Sequence, residues 1–371
     1  MAARIAILRG EALNPFELQS YAPLRDSYEL VAIGARGGAY DLTGLQVPLA
    51  SLPPVGSGRL ARRLLGDRSA RLRGLAAALS GCELVHSAET FLPISEQAAE
   101  LKPAHGFKLV LTCWENIPFL HDDNPLLSAR KRLVREATDL FVAVTQGARD
   151  ALLLEGVAPD RIVVQPVGVD RATFHEQAAD ATLRGGWELA DGSQTVLYCG
   201  RLIREKGVLD LLRALASVPQ TALIIVGQGP ERARLELAAS ACGLADRVRF
   251  IGSAAYGELP RFYASVDAFC LPSVPTPYWQ EQFGMVLVEA MACGRPVVTT
   301  ASGSIPEVVG EAAVVVPPYS PDALAAALSD LLADRGRQAA LAASGLARVA
   351  ERYDATRVSA ALGDIYARLL R

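Results

Sequence analysis

Short apolar runs alternate along the chain with longer stretches in which apolar residues recur every three or four positions. Runs of the first kind are typical of strands buried on both faces, and stretches of the second kind are typical of amphipathic helices. The first half holds six candidate strands, at residues 4–8, 29–33, 83–87, 108–113, 140–145 and 161–165. Six more follow, at residues 195–199, 222–226, 247–251, 268–271, 296–299 and 313–316. This alternation predicts an α/β protein with two doubly wound, Rossmann-like domains.

The border between the two series is a polar stretch at residues 176–193, which carries few signals for helix or strand. A chain of 371 residues exceeds the usual size of a single hydrophobic core. We therefore expect an N-terminal domain over residues 1–180 and a second domain over residues 181–352. The helical pattern near the end of the chain supplies a separate last helix, residues 353–371.

Composition and charge exclude several classes of protein. A hydrophobic content of 51% excludes a disordered chain, and a net charge of −3 argues against a nucleic-acid binder driven by bulk electrostatics. No apolar run reaches the ~20 residues of a membrane-spanning helix, and the start MAARIAILRG leads into no cleavable signal pattern. We therefore expect a cytoplasmic protein. The six cysteines show no C-x-x-C spacing, which indicates neither a zinc site nor a disulfide framework.

One segment is strongly basic. Between residues 59 and 73, arginines outnumber the single acid, Asp67, and alternate with leucines. Two interpretations stay open: a solvated helix face or loop, or a basic amphipathic surface that contacts an anionic membrane or an anionic acceptor. The second would place the protein peripherally on the inner face of the membrane. The arginines are Arg59, Arg62, Arg63, Arg68, Arg71 and Arg73.

The most informative segment begins and ends with a carboxylate. Glu281 and Glu289 lie eight positions apart and flank a Phe283-Gly284 step that opens an apolar helix. Gly284 lets a ligand come close to the backbone, and the start of the new helix aims unpaired N–H groups at an anion. A carboxylate accepts paired hydrogen bonds from neighbouring hydroxyls, so one Glu can hold a hexose and the other a ribose. The pattern predicts a site for a phosphorylated sugar, whereas a surface helix with two solvated glutamates would not need Phe-Gly at its start.

This segment resembles the E-x7-E signature of the retaining glycosyltransferases of family 4, also called glycosyl transferases group 1. The run EAMACGRPVV at residues 289–298 continues that family's pattern. The resemblance implies the GT-B fold, in which two Rossmann-like domains face a central cleft and the last helix crosses back to the N-terminal domain. It assigns Glu281 to the sugar hydroxyls, Glu289 to the ribose, and the helix start with Met285 and Val286 to the donor.

The activity that the resemblance implies is hexosyl transfer. The donor would be a nucleotide-diphosphate sugar, either a UDP-sugar or a GDP-sugar, and the acceptor a hydroxyl of a glycan, a lipid or a small molecule. Such reactions belong to cell-envelope or polysaccharide biosynthesis. The configuration at the transferred sugar would be retained.

A second constellation starts at Gly200, directly after the candidate strand at residues 195–199. Ligands of open α/β sheets bind at the carboxyl ends of strands. At that place Arg201 and Lys206 can put two cations over a diphosphate, the first as a bidentate fork and the second as a point charge. The matching Arg and Lys of the resembled family bind the donor diphosphate.

Weaker signals surround this loop. Gly227 and Gly229 follow the candidate strand at residues 222–226, but a tight turn before a helix would contain the same residues. The resemblance places them near the nucleoside and places the backbone of Ile251 near the base.

The chain contains no D-x-D pair of the kind that holds the metal ion of other glycosyltransferases. We therefore predict metal independence and no cofactor, with Arg201 and Lys206 neutralising the departing diphosphate. The resemblance implies front-face substitution, in which the donor phosphate accepts the acceptor's proton.

The N-terminal domain matches the family less well. Relatives carry a His in a Thr-x-His context near the end of the central strand, whereas Thr112 and Cys113 are followed here by Trp114, which cannot accept a proton. Glu115, next in sequence, and His121, in the loop that follows, are the candidate catalytic groups of this domain.

Residues expected to contact the acceptor are His86, Glu89 and Trp114, all near the ends of strands of one sheet. A strand-end His is more often a hydrogen-bonded structural group, and Trp114 either stacks on a sugar or fills a core, so these alternatives stay open. Gly10, after the first strand, holds the place where relatives carry a donor-binding glycine loop.

Two alternative functions also fit the sequence. A non-catalytic nucleotide-sugar-binding subunit is compatible with Trp114 at the usual His position. Another GT-B enzyme, such as a nucleotide-sugar epimerase, would share the architecture.

Overall fold

The computed structural model describes residues 2–38, 40, 42, 47–56, 63 and 66–371, with the side chains of Asp67 and Arg68 excepted. The chain divides into two compact units. The first unit comprises Met1–Gly168 together with Ala355–Arg371, and the second is the continuous segment Val169–Asp354. Each unit is built on one parallel sheet, as the alternating strand and helix patterns predict.

The first unit has a seven-stranded sheet in the order β3-β2-β1-β4-β5-β6-β7. The chain order reverses direction between the neighbours β1 and β4, which pair in parallel. The strands are β1 Arg4–Gly10, β2 Glu29–Ala35, β3 Leu49–Leu52, β4 Leu84–Ala88, β5 Lys108–Cys113, β6 Leu140–Ala143 and β7 Ile162–Val164. The helices are α1 Pro15–Leu18, α2 Leu75–Ala78, α3 Pro93–His105, α4 Pro125–Ala137, α5 Gln146–Leu154 and, from the end of the chain, α14 Ala355–Leu369.

Helix α14 completes the apolar core of this first unit. Its residues Val358, Leu362 and Ile365 are buried in the same cluster as Ile5 of β1 and other apolar residues of the sheet. The apolar positions of α14 recur at helical spacing, so one stripe of the helix faces that sheet.

The second unit has a six-stranded sheet in the order β10-β9-β8-β11-β12-β13. The strands are β8 Gln194–Cys199, β9 Thr221–Val226, β10 Val248–Gly252, β11 Ala268–Leu271, β12 Val297–Thr300 and β13 Ala313–Val316. The helices are α6 Ala181–Gly185, α7 Val208–Ala216, α8 Arg232–Ala241, α9 Leu259–Ala264, α10 Met285–Ala292, α11 Ile305–Val309, α12 Pro321–Ala333 and α13 Arg335–Arg348. A short 3-10 turn, Tyr256–Glu258, precedes α9, and a π-helical turn, Val349–Tyr353, follows α13.

The predicted α/β fold with two doubly wound sheets is confirmed, and each of the predicted strands is present. Within the described part of the chain, one strand was not predicted from the sequence, the edge strand β3, Leu49–Leu52. It is four residues long, alternates between exposed and half-buried positions, and lies next to Pro48 and Pro53. Its sequence therefore has neither the apolar run nor the length on which the other strands were recognised.

The border between the units falls at Gly168 rather than at residue 180, where the polar stretch suggested it. The reason is that the segment after Gly168 is bound into the second unit. The Val169 N–H donates to the carbonyl of Tyr353 at 2.7 Å, and the buried Phe174 ring packs 5.1 Å from the ring of Tyr256.

Part of the basic segment lies outside the described residues, including Arg59, Arg62 and the side chain of Arg68. Of its described members, Arg71 donates to Glu100 with 3.1 Å between Nη1 and Oε1, and Arg73 donates to the carbonyl of Val55 at 2.7 Å. Throughout the described part of the chain, helices are too short or too polar to cross a bilayer.

Candidate functional site

The second unit has a topological switch point between β8 and β11. These strands are neighbours in the sheet, but β8 continues to β9 on one side and β11 continues to β12 on the other. In open α/β sheets, ligands bind at such a switch point, in the crevice outside the carboxyl ends of the two strands. Six of the predicted donor residues lie on the two loops that leave these strands: Gly200, Arg201 and Lys206 after Cys199, and Glu281, Phe283 and Gly284 after Leu271.

Glycines bring the loops of this edge into contact. A Cβ on Gly207, at φ +66°, would lie 1.9 Å from the carbonyl oxygen of Pro272. A Cβ on Gly229 would lie 2.2 Å from the carbonyl oxygen of Leu202, and one on Gly227 would lie 1.8 Å from that of Gly200. Any side chain at these positions would push the loops apart, so these three glycines, of which Gly227 and Gly229 were predicted from sequence, fix the shape of the crevice.

Lys206 and Glu281 meet in this crevice. The Lys206 ammonium lies 2.7 Å from Glu281 Oε2, and Ser273 Oγ donates to the same oxygen at 2.7 Å. The Lys206 ammonium also lies 5.3 Å from the centre of the Trp279 ring. Because Glu281 is only 6% exposed, the pair is a charge-assisted contact with little water around it.

The loop after β12 contacts the backbone of Glu281. Ser304 N–H donates to the Glu281 carbonyl at 2.9 Å, and a Cβ on Gly303 would lie 2.1 Å from that oxygen. The loop between β12 and α11 therefore positions the carboxylate that pairs with Lys206. Glu307, in α11, accepts a hydrogen bond from Arg348 through its backbone carbonyl.

Arg201 is placed differently from Lys206. Its side chain is exposed, and its backbone carbonyl accepts a hydrogen bond from Tyr198 at 2.7 Å. Within the described residues its guanidinium takes part in no hydrogen bond or ion pair. A fork of five N–H donors is thus open to an anion at the end of β8.

Helix α10 begins at the predicted aromatic-glycine step. Gly284 is left-handed, at φ +78°, and its missing Cβ leaves room for Leu287, whose Cδ1 would be 2.8 Å away. Phe283 is buried edge-on against Tyr353 with 5.7 Å between ring centres. Met285 and Val286 form the first turn, and their side chains are half-buried.

Glu289 lies in the second turn of α10, and both of its carboxylate oxygens are occupied. Tyr256 donates to Oε1 at 3.0 Å and Tyr263 donates to Oε2 at 2.9 Å. Burial raises the pKa of Glu289 to about 7 in spite of these two hydrogen bonds. The two tyrosines were missed from the sequence, because nothing in it marks residues 33 and 26 positions away as partners of Glu289.

In the first unit, Glu89 follows β4 at the corresponding switch point and has a left-handed backbone, φ +57°. Its carboxylate accepts the N–H groups of Trp114 at 2.7 Å and Glu115 at 3.1 Å. Burial raises the pKa of Glu89 to about 8. Three predicted residues are therefore brought together here. The Glu89 carboxylate fixes the backbone at Trp114 and Glu115 through these two hydrogen bonds.

His86 is fully buried inside the first unit. Its Nδ1 lies 2.6 Å from the hydroxyl of Tyr366 on α14, and its Nε2 lies 2.7 Å from Thr112 Oγ1. Burial, and then the charge of Arg9, hold the pKa of His86 well below its ordinary value, so the ring is neutral. This placement favours the structural alternative, in which His86 ties the last helix to the sheet instead of contacting an acceptor.

The remaining predicted residues lie apart from these clusters. His121 is exposed at φ +69° and packs against the edge of Phe91, with 5.9 Å between ring centres. Gly10 ends β1 at φ +56°, and Ile251 in β10 is 40% exposed. Among the described residues, no three His, Cys, Asp or Glu side chains are grouped as metal ligands.

Comparison with known proteins connects these residues to a family. The family described as "Glycosyl transferases group 1" matches residues 180–348, and that described as "Glycosyl transferase 4-like domain" matches residues 18–168. A GDP-mannose-dependent alpha-(1-6)-phosphatidylinositol monomannoside mannosyltransferase of Mycolicibacterium smegmatis is 30% identical over 91% of this chain and 86% of its own length.

Other relatives match over shorter stretches. The corresponding mannosyltransferase of Mycobacterium tuberculosis is 33% identical over 65% of this chain. A D-inositol 3-phosphate glycosyltransferase of Xylanimonas cellulosilytica is 36% identical over 62% of this chain. The match spans 64% and 57% of the length of these two relatives.

Solved structures share the fold. Sucrose-phosphate synthase from Thermosynechococcus elongatus has a TM-score of 0.81 at 22% identity over 99% of both chains. Anabaena HepE in complex with UDP and glucose has a TM-score of 0.79 at 22% identity, over 99% of this chain and all of its own. The chain therefore belongs to the glycosyltransferases of family 4, the glycosyl transferases group 1, and has their GT-B fold.

Proposed function

We propose that the protein transfers a hexosyl group from a nucleotide-diphosphate sugar to an acceptor hydroxyl, with retention of configuration and without a metal ion. The observation that carries the proposal is the Lys206–Glu281 contact of 2.7 Å at the switch point of the second sheet. It joins a cation suited to a phosphate and a carboxylate suited to sugar hydroxyls in one crevice. A plain surface helix would not bury such a pair.

The donor would span this crevice in the order sugar, diphosphate, nucleoside. Glu281 takes the sugar hydroxyls, Arg201 and Lys206 take the diphosphate, and Glu289 takes the ribose. Gly227, Gly229 and the backbone around Ile251 take the nucleoside. Because backbone groups carry that last contact, both GDP- and UDP-sugars remain donors to test.

The proposed reaction is a front-face substitution. The bond between the anomeric carbon and the diphosphate oxygen breaks, and the acceptor oxygen forms a new bond to that carbon on the same face. The acceptor's proton passes to the leaving phosphate. Arg201, Lys206 and the first amides of α10 stabilise the negative charge that develops on the diphosphate, which is the task that a metal ion performs elsewhere.

The names of the relatives suggest which acceptors to try. The mycolicibacterial relative is a phosphatidylinositol monomannoside mannosyltransferase and the Xylanimonas relative is a D-inositol 3-phosphate glycosyltransferase. We propose that this protein also glycosylates a hydroxyl of an inositol-containing or glycan acceptor. Glu115, His121 and the face of Trp114 are the groups proposed to meet it.

The test is a matrix of donors and acceptors with the full chain. GDP-mannose, UDP-glucose and UDP-N-acetylglucosamine are each incubated with phosphatidylinositol mannoside, with inositol 3-phosphate and without acceptor. Mass spectrometry identifies the product, and NMR of its anomeric proton reports the configuration. We expect an α-linked product from an α-linked donor in at least one combination. Inverted product would contradict the proposed mechanism, and donor binding with no transfer or hydrolysis would favour the non-catalytic alternative.

A peripheral membrane contact through the basic segment remains part of the proposal. Of its arginines, Arg71 and Arg73 are engaged within the first unit, so we assign the contact to Arg59, Arg62, Arg63 and Arg68. Co-sedimentation with vesicles of phosphatidylglycerol, compared with phosphatidylcholine, tests it. Charge reversal of these four arginines should abolish binding to the anionic vesicles, whereas reversal of the exposed Arg335 should not. Equal sedimentation of all variants would remove the proposal.

A further inference from the structure

The two tyrosines on Glu289 differ in their surroundings. Tyr263 belongs to α9, is fully buried, and packs against Phe269 with 5.5 Å between ring centres. Tyr256 lies in the short turn that follows β10 and is half-buried. Both rings adjoin the buried Phe174, at 6.3 Å for Tyr263 and 5.1 Å for Tyr256. One tyrosine is therefore locked in the core, and the other reaches Glu289 from a turn near the surface.

Glu289 itself is only 2% exposed. A carboxylate has about four acceptor positions, so two tyrosine hydroxyls do not exhaust it. The access of a ribose hydroxyl to Glu289 limits binding, because the hydroxyl must come within hydrogen-bond distance of a carboxylate oxygen that protein atoms cover in the free protein. Of the two covering groups, Tyr256 is the one with a solvent-exposed side.

From this arrangement we infer that Tyr263 positions Glu289 for the ribose, whereas Tyr256 competes with the ribose for the same carboxylate. The inference rests on the proposed function, in which Glu289 receives the ribose. Tyr263 holds Oε2 in both the free and the bound protein. Tyr256 holds Oε1 in the free protein, and donor binding replaces that hydrogen bond with one from a ribose hydroxyl. Tyr256 thereby lowers the affinity for every nucleotide that binds Glu289 through its ribose, because the hydrogen bond from Tyr256 to Oε1 has to break first.

A matched pair of variants tests the inference, because each removes a single hydroxyl. Calorimetry with GDP and with UDP measures affinity, and thermal unfolding checks that each variant is folded. At about pH 9, well above the pKa of Glu289, Tyr256→Phe should bind roughly two- to fivefold more tightly than wild type, because no hydrogen bond has to be broken first. Tyr263→Phe should bind roughly tenfold more weakly, because the carboxylate loses a fixed donor.

The pH profile separates positioning from a general loss of structure. The titratable groups around Glu289 are Tyr256, Tyr263, Cys199 and Cys293. Both tyrosine hydrogen bonds lower the pKa of Glu289, so Tyr263→Phe should move the midpoint of the binding profile to higher pH. A variant that is merely less stable would weaken binding without moving this midpoint, and that result would overturn the positioning role.

The variant Glu289→Gln, measured alongside, distinguishes failure of the Tyr256 competition from failure of the ribose assignment of Glu289. If Glu289→Gln loses affinity but both tyrosine variants change affinity in the same direction, the competition is refuted and the ribose assignment stands. If none of the three variants changes the affinity, Glu289 is not in the nucleotide site, and both ideas fall. Opposite effects of the two tyrosine variants support the inference.

Discussion

The Lys206 ammonium and the Glu281 carboxylate, 75 positions apart in sequence, lie 2.7 Å from each other at the carboxyl edge of the second sheet. In the proposed complex these groups serve different parts of the donor, the diphosphate and the sugar. Each therefore holds its partner in place until the donor arrives. Arg201, on the same loop as Lys206, has no such partner among the described residues.

This contrast leads to the first prediction, for Arg201→Ala and Lys206→Ala. Both should lower kcat/KM by roughly 2–4 kcal/mol of transition-state stabilisation, because both remove a cation from the diphosphate. Only Lys206→Ala should also reduce the free energy of unfolding, by about 1–3 kcal/mol, since it takes a partner from a buried carboxylate. Steady-state kinetics and denaturant unfolding measure the two effects. Arg204→Ala, an exposed arginine of the same loop, is the control; unchanged activity in both test variants would refute the diphosphate assignment.

The second prediction concerns metal. Because side-chain cations and helix amides supply the positive charge, turnover should persist in excess EDTA after the protein has been dialysed against chelator. Initial rates with and without added Mg²⁺ or Mn²⁺ give the comparison. A complete loss that either ion restores would show that the diphosphate is held through a metal.

The third prediction separates the two carboxylates. Glu281→Gln should impair turnover of the sugar donor more than binding of free nucleoside diphosphate, since the free nucleotide carries no sugar. Glu289→Gln should impair both, through the ribose. Each loss should be about 1.5–3 kcal/mol per hydrogen bond. Calorimetry with the nucleoside diphosphate and with the intact donor distinguishes the variants, and wild-type binding of both ligands by both variants would leave the segment a structural helix.

The fourth prediction is a pH dependence of nucleotide binding. The pKa of Glu289 is raised by burial to about 7, and the ionised form accepts a stronger hydrogen bond from a ribose hydroxyl than the protonated form does. Affinity for nucleoside diphosphate should therefore fall as the pH drops below 7, by at most about tenfold per unit, and level off at higher pH. Glu289→Gln removes this titration and isolates the part due to the nucleotide's own phosphates. Identical profiles for wild type and Glu289→Gln would contradict the assignment.

The fifth prediction concerns Glu89 and stability. Burial raises the pKa of Glu89 from an ordinary value of 4.5 to about 8, so the folded state favours the protonated carboxyl. The stability associated with this group is complete below pH 4.5 and is lost as the pH rises towards 8. Glu89→Gln keeps an oxygen for the amides of Trp114 and Glu115 but cannot ionise. The free energy of unfolding of Glu89→Gln should equal that of wild type near pH 5. Near pH 9 it should be higher than that of wild type by a few kcal/mol. A difference independent of pH would show that ionisation of Glu89 is not the cause.

The sequence was sufficient for predicting the architecture and for placing residues of the proposed donor site at one edge of the second sheet, because both depend on local sequence patterns. Strands buried on both faces are apolar runs, and the Phe283-Gly284 step and the glycine turns depend on backbone conformations that few residues adopt. Lys206 and Glu281 could be assigned to one edge because parallel strands end together.

Other features depend on contacts between distant residues and could not be predicted. Tyr256 and Tyr263 reach Glu289 only after three separate elements have packed, and an isolated Tyr carries no sign of its partner. The sequence around His86 does not distinguish an exposed histidine at a strand end from a buried one. In the structure α14 covers His86, and Tyr366 of that helix is its hydrogen-bond partner. The edge strand β3 lacks an apolar run because it is covered on one side only.

The return of Ala355–Arg371 to the first unit has a consequence for the order in which the protein forms during synthesis. The second unit is continuous, so it can fold as soon as residue 354 has left the ribosome. The first unit is synthesised earlier, but its apolar core lacks α14 at that stage. The Nδ1 atom of His86 also lacks its hydrogen-bond partner until Tyr366 has been made, some 280 residues later. For most of translation the first-made sheet therefore exposes an apolar face, and a chain truncated after Asp354 should need chaperones and aggregate where the full chain does not.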